Sequence, residues 1–232
     1  MIINIQKRFR GCMLRKKRLP TVMYAIQKYL KTKAIRFSNQ NEDGRINSCF
    51  DESLVIQLLI EEFGPARIKP QEKRLWSDVL VYDYMYGWIP INIKSTTTKT
   101  SDNAGNLAMC VYAYTDEHLV LDKRYANGEL SKILTHKLKN KKYNTENKKD
   151  YYFLVLNKTN ASDIIVNSIK GLTEITKNIN NLPFQINWDK NRVFKYEKIK
   201  KVLQRYKEIH PSEGSTPSWK ETHMSGMTTW EL

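Results

Sequence analysis

Residues 88–106 read WIPINIKSTTTKTSDNAGN, and the periodicity of the first half decides the fold. Ile89, Ile91 and Ile93 alternate with Pro90, Asn92 and Lys94, the period-two pattern of a strand. Positions 92 and 94 therefore share one face, and Ile91 and Ile93 share the other. The strand then runs into four hydroxyls, Ser95, Thr96, Thr97 and Thr98. A lysine at the end of so apolar a strand is expensive unless it has a role there. Just upstream, Leu75 to Tyr82 (LWSDVLVY) is a second alternating strand, and the short DYMYGW connection at 83–88 predicts a hairpin. Folding that hairpin brings Asp78, on the first strand, toward Asn92 and Lys94 on the second. Asp83 is read as solvating the turn.

Working outward, residues 37–50 are polar and read as a loop. Asp51-Glu52 opens a helix that runs to Phe63 and stops at Gly64-Pro65. Glu52 thus falls in the first turn of the helix that precedes the hairpin. Met109 to Tyr114 reads as a further strand or buried segment, 129–139 as a helix, and 140–150 (NKKYNTENKKD) as a solvated lysine loop. Tyr151 to Leu156 and Ile164 to Ile169 are strong strands, and Tyr196 to Glu208 is a basic amphipathic helix. Trp188 is expected in the core. Residues 210–232 are rich in Ser, Thr, Gly and Pro and read as an irregular docked tail. The order predicts an α/β (α+β) fold: a mixed central sheet flanked by helices over 37–209, with a basic helical N-terminal arm over 1–36.

Across 232 residues, 41% are hydrophobic and 27% charged, the balance of a globular protein. Net charge is +15 and the isoelectric point about 9.6, which points to polyanions, nucleic acid first. Eleven Lys and Arg residues and no acid occupy positions 1–36, including Arg8, Arg10, Arg15, Lys16, Lys17 and Arg18. Residues 5–19 also match a calmodulin-target (IQ) pattern at Ile5, Gln6, Arg10, Gly11 and Arg15. Short basic amphipathic helices match that pattern readily, so the segment is read as a phosphate-gripping arm rather than a site for a calmodulin-like partner. No apolar run approaches the roughly 18 residues of a membrane span, and the N-terminus lacks the apolar stretch of a secretory signal. Three unspaced cysteines (Cys12, Cys49, Cys110) read as small buried hydrophobes in a reducing, cytoplasmic setting. Four histidines show no zinc-ligand spacing, and no Gly-rich phosphate loop is present.

Asp78, Asn92, Lys94 and Glu52 together form the set that phosphodiester hydrolysis needs. Carboxylates hold Mg²⁺ against the scissile phosphate, the ion neutralises phosphate charge and acidifies a water, and a lysine steadies the developing negative charge. Ser95, Thr96 and Thr97 can donate to neighbouring phosphates. Residues 99–106, with Lys99, Thr100, Asp102, Asn103 and Asn106, carry side chains able to bond base edges.

Ser77-Asp78 followed 14 residues on by Asn92-Ile93-Lys94 resembles the PD-(D/E)xK nuclease motif. Ile91 to Thr97 is similar to the active-site strand of EcoRV-like type II restriction endonucleases, and Glu52 matches the acid that this superfamily often carries on the preceding helix. The likeness covers about residues 48–115. It implies a restriction-endonuclease-like core and a type II site-specific deoxyribonuclease. It also implies Mg²⁺ as cofactor, held by Asp78, Glu52 and Asn92, and a homodimer acting on a short double-stranded DNA site. The sequence departs from the motif twice: Ser77 stands for the proline, and Asn92 for the second acid. Asn92 is open to three readings: a neutral oxygen ligand in an active enzyme, the mark of a non-catalytic DNA-binding protein on a decayed nuclease fold, or a plain strand residue where Asp78 caps a turn and Lys94 snorkels.

Overall fold

The computed structural model of the chain describes residues 18–33, 35–37, 44–73, 75–146, 148–178 and 183–209. Helices α1 (Thr21–Lys31) and α2 (Gly44–Phe63) come first, then strands β1 (Ile68–Pro70), β2 (Val79–Asp83) and β3 (Gly87–Thr96). A short strand β4 (Ser101–Asn103) and helices α3 (Leu107–Tyr114) and α4 (Asn127–Lys139) lead to β5 (Tyr152–Asn157) and β6 (Asn160–Ser168). Strand β7 (Gln185–Asn187) and helix α5 (Ile199–Glu208) complete the described elements. Five strands form one mixed sheet in the order β1-β2-β3-β5-β6, and β4 pairs with β7 in a separate two-stranded ribbon. This is the expected mixed α/β architecture.

The predicted hairpin is the centre of the sheet. β2 and β3 pair antiparallel from Val79↔Ile91 to Asp83↔Gly87, and Gly87, at φ +72°, takes the left-handed conformation that the turn needs. β3 then pairs in parallel with β5, which requires the crossover that β4, α3 and α4 provide. Pro90 is tolerated in this central strand because its missing N–H falls just before the pairing with β5 begins, at Ile91↔Tyr152.

The sheet is covered on both faces, and β5 shows why its sequence reads as an unbroken apolar run. Tyr152, Leu154 and Leu156 pack with Ile89, Ile91 and Ile93 against α1 and α2. Tyr151, Phe153 and Val155 pack on the opposite side against α3, α4, α5 and Trp188. Trp188 is fully buried, as expected.

Several boundaries differ from the sequence reading. Helix α2 begins at Gly44, not at Asp51, so Glu52 lies two turns inside it. The first hairpin strand starts at Val79: Trp76 turns instead into the α3 layer, where it stacks near Tyr151 and Tyr112. Met109 to Tyr114 is helical. The Asn106 Oδ1 accepts the Met109 N–H at 2.7 Å as an N-cap, and a helix apolar all round is a buried one. The lysine loop is not simply solvated: the Lys149 Nζ donates to the Thr115 and Glu117 carbonyls, and Asp150 is buried against the Ser168 hydroxyl. The Lys170 Nζ closes the same network on the Glu146 and Lys149 carbonyls. Cys110 is buried, but Cys49 is exposed, and neither is in a disulfide.

The described part of the basic N-terminal region packs on the sheet. Residues 1–17, with Arg8, Arg10, Arg15, Lys16, Lys17 and the calmodulin-target pattern, lie outside the described residues, as does 210–232. Helix α1, in contrast, is seated on the sheet through Val22, Met23, Ile26 and Leu30, while Lys28 and Lys31 stay outside. Asp83 holds it there. The Asp83 carboxylate is buried and accepts from the Thr21 hydroxyl and the Val22 N–H at the start of α1, and from Met85 N and Tyr86 N in the hairpin turn. It is a cap shared by two elements rather than a solvated turn residue. Asp83→Ala leaves those donors without an acceptor, and is expected to cost about 3 kcal/mol or more. For a chain of this size that lowers the midpoint of thermal unfolding by roughly 6–12 °C. A melting curve within 2 °C of the parent would show that the cap is dispensable.

Among the described residues, no helix is long and apolar enough to cross a membrane.

Candidate active site

The site forms where the start of β2, the middle of β3 and helix α2 meet. Asp78 lies one residue before β2. Its N–H donates to the Ile91 carbonyl at 3.0 Å, and its Oδ2 accepts the Ile93 N–H at 2.6 Å. The aspartate thus grips β3 on both sides of Asn92, and its carboxylate takes the place that the next backbone carbonyl of β2 would have filled. One oxygen is committed; the other is left for a ligand.

β3 carries Asn92 and Lys94 on the face opposite Ile91 and Ile93, as the alternation requires. Asn92 sits beside the Tyr151 hydroxyl. That hydroxyl donates its only proton to the Trp76 carbonyl, and the Asn92 and Asn106 amides lie near enough to influence it. Among the described residues, the Asn92 Oδ1 is buried and without a hydrogen-bond partner. An orphaned buried acceptor requires an explanation. It is one of a group: Gln71 Oε1, Trp76 Nε1, Ser77 Oγ and Ser95 Oγ, all on the two segments that bracket Asp78 and Asn92, are also buried and unpartnered.

Glu52 reaches the same place from α2. Val55, Ile56 and Leu59 form that helix's buried stripe, and Glu52 continues it by one turn beyond the apolar core. Burial, and then the neighbouring Asp78 charge, push its carboxyl up to about 7, against the pull of Lys94 and Lys73. Asp78 is itself raised, chiefly by burial, although Lys94 and the Ile93 N–H oppose the shift. Two carboxyls crowded at one point are short of positive charge. Lys94 acts on Glu52, Asp78 and Asp102 through its charge and closes no salt bridge with them among the described residues. Beside Glu52, Asp51 is buried and pairs with Lys158 at 3.5 Å, and the Lys158 N–H donates to the Thr96 carbonyl, so α2 is tied to the end of β3. A cleft of about 990 Å³ opens in front of the acids, walled by Phe50, Ile56, Pro70, Lys73 and Leu75.

The structure therefore brings Glu52, Asp78, Asn92 and Lys94 together. Among the described residues, no group of three or more His, Cys, Asp or Glu side chains could hold a metal by itself. The donor set is two carboxylates and one amide oxygen, all hard oxygens of the kind that suits Mg²⁺. The orphaned Asn92 Oδ1 and the charge-starved acid pair fit such an ion.

The expected DNA-contacting residues divide. Thr97, Lys99 and Thr100 are exposed at a turn whose buried Thr98 has φ +64°, a strained value for a β-branched residue. Asn187 and Asp189 hold that turn through the Lys99 and Thr98 carbonyls. Arg18 is exposed beside α1. Ser95 is half-buried. Thr96, Asp102 and Asn106 are corrected: their side chains are spent inside the fold. The Thr96 hydroxyl and the Trp188 Nε1 donate to the two Asp102 oxygens, and Asn106 caps α3. Sequence reasoning missed Tyr151, Gln71 and Lys73. Tyr151 stands at the head of an apolar strand, where nothing local marks its hydroxyl as a hub.

Compared with family models, with curated proteins and with solved structures, the chain gives no match.

Proposed function

We propose that the chain is a Mg²⁺-dependent endonuclease of type II restriction character, hydrolysing phosphodiesters at a short specific site in duplex DNA from a PD-(D/E)xK-like centre. The observation that carries this reading is made among the described residues: a buried, unpartnered Asn92 Oδ1 next to two crowded carboxylates and a lysine that closes no salt bridge with them.

Glu52, Asp78 and Asn92 would hold Mg²⁺, with waters completing the shell. Mg²⁺ held by these three residues would supply positive charge for the phosphate oxygens and acidify a water. Asp78 is kept in position by the Ile93 N–H, so its free oxygen is oriented before the substrate arrives. Lys94 orients the attacking water and offsets the negative charge that grows on the phosphoryl oxygens. Exposed Lys73, Lys99 and Thr100 can hold the backbone on either side, and the eleven cations of residues 1–36 add a sequence-independent grip. Cutting both strands of a symmetric site with one centre per chain calls for a twofold dimer.

The test is incubation of purified protein with plasmid DNA and Mg²⁺, followed by sequencing of the ends. Discrete fragments with uniform ends, abolished by chelation of the metal, are expected. Asn92 also supports a second reading, a non-catalytic DNA-binding protein on a decayed nuclease fold. Binding to duplex DNA without cleavage in Mg²⁺ or Mn²⁺ would establish that reading and overturn the first.

A further inference from the structure

The ribbon of β4 and β7 stands at the end of the catalytic strand, and its inner side is built into the core. Asp102 bonds Thr96, two residues beyond Lys94, and the fully buried Trp188; Ile186 and Phe184 are fully buried as well. The outer side is polar: Ser101 and Asn103 are exposed, and Gln185 and Asn187 half-buried. Asn187 is spent on the backbone at Lys99 and Lys190. Asn103 and Gln185 are not. They face each other across the ribbon, where the Gln185 Nε2 donates to the Asn103 Oδ1 at 2.9 Å, and the Asn178 Nδ2 donates to that same oxygen at 2.7 Å.

Those bonds lock both amides. With its oxygen filled by two donors, Asn103 can offer only its Nδ2 group, while Gln185 keeps its Oε1 as a free acceptor. A donor and an acceptor therefore stand side by side at one register position, held there by the side-chain bonds across the ribbon. We infer that this ribbon enters the major groove and that Asn103 and Gln185 together read one A·T pair, Asn103 donating to adenine N7 and Gln185 accepting from adenine N6. The major groove admits a two-stranded ribbon, and among the four bases adenine presents that acceptor and donor side by side. Because the pair is pre-set, little rotamer freedom is lost on binding. The anchoring at Thr96 and Trp188 fixes the distance between the read base and the scissile phosphate. The inference rests on the proposal that the substrate is duplex DNA.

The test is selection of bound duplexes from a randomised library with Ca²⁺ in place of Mg²⁺, for the parent, Gln185→Ala and Asn103→Ala, with plasmid cleavage by the parent in Mg²⁺ run alongside. Gln185→Ala removes a half-buried surface side chain and should melt with the parent, whereas Asn103→Ala takes an acceptor from the buried Asn178 Nδ2 and should melt lower, so Gln185→Ala is the arm free of a stability effect. The parent should enrich a motif with one A·T position favoured about 10- to 100-fold, and each variant should keep the rest of the motif while that preference falls below about 3-fold. If all three proteins enrich the same motif, or the variants lose affinity equally for every sequence, the inference is overturned while the nuclease reading stands. If the parent enriches no motif, the inference fails, and the cleavage arm shows whether the proposed activity fails with it.

Discussion

Lys94→Ala is expected to slow cleavage of bound DNA by a factor of about 10² or more while leaving affinity for the same duplex within a few-fold. Lys94 lies half-buried on β3, two residues past Asn92 on the same face, and its charge is felt by Glu52, Asp78 and Asp102. A lysine needed only for architecture would close a salt bridge, as Lys137 does with Asp116 and Glu117 at 2.9 Å, or bond carbonyls, as buried Lys149 does. Lys94 does neither with these acids. In the proposed reaction its ammonium would meet charge that exists only as the phosphorus is attacked, and an interaction made only then lowers the rate constant on removal and not the binding. Single-turnover cleavage in Mg²⁺ beside a gel shift in Ca²⁺ separates the two quantities. An equal loss in both would make Lys94 a phosphate clamp. A phosphate clamp is already expected of Lys99 and Thr100, and Lys99→Ala should weaken binding and flatten its salt dependence instead.

Much of the centre was legible in the sequence because it depends on strand alternation and a tight turn, both local. The period of Ile89 to Lys94 assigned the faces, and the turn at 83–88 brought Asp78 to Asn92. Where partners come from far along the chain, local pattern gave the wrong answer. Asp83 looked like a turn acid, yet two of its four donors come from a helix some 60 residues upstream. Lys149 looked solvated, yet its amine reaches carbonyls more than 30 residues away. Residues 109–114 are apolar throughout, and so short a run has the same signature as a strand or a buried helix; the Asn106 cap settles it only once it is known to point at Met109. Nothing local marks Gln185 because its side-chain partner, Asn103, lies 82 positions earlier. The polar stretch 99–106 was read as uniformly available, but the fold spends Asp102 and Asn106 on its own rigidity and leaves Asn103 with one group to offer.

The strongest dependence should fall on Glu52. In a centre with two carboxylates on the hairpin, an acid on the neighbouring helix could be auxiliary. Here Asn92 replaces one of them, and an amide oxygen binds Mg²⁺ more weakly than a carboxylate, so charge from the hairpin comes from Asp78 alone. Glu52→Ala and Asp78→Ala are each expected to reduce cleavage to background. Glu52→Ala should keep its fold, because Glu52 lies one turn beyond the apolar core that Val55, Ile56 and Leu59 enter; Asp78→Ala also frees the Ile93 N–H and should melt lower. Asn92→Asp tests the same balance from the other side. It puts a charged oxygen where the fold leaves a buried acceptor unpartnered, and is expected to lower the Mg²⁺ concentration for half-maximal cleavage several-fold. The substitution keeps the side chain's size but adds a further charge beside the buried Asp78 carboxyl, so a small loss of thermal stability without metal should accompany it. Normal cleavage by Glu52→Ala would move the missing charge elsewhere, with Asp51, one residue away and buried against Lys158, next to examine. An inert parent together with an active Asn92→Asp would identify the chain as a nuclease disabled at a single ligand, and the same titration of Mg²⁺ against both proteins distinguishes that case from a weakly metallated but working enzyme.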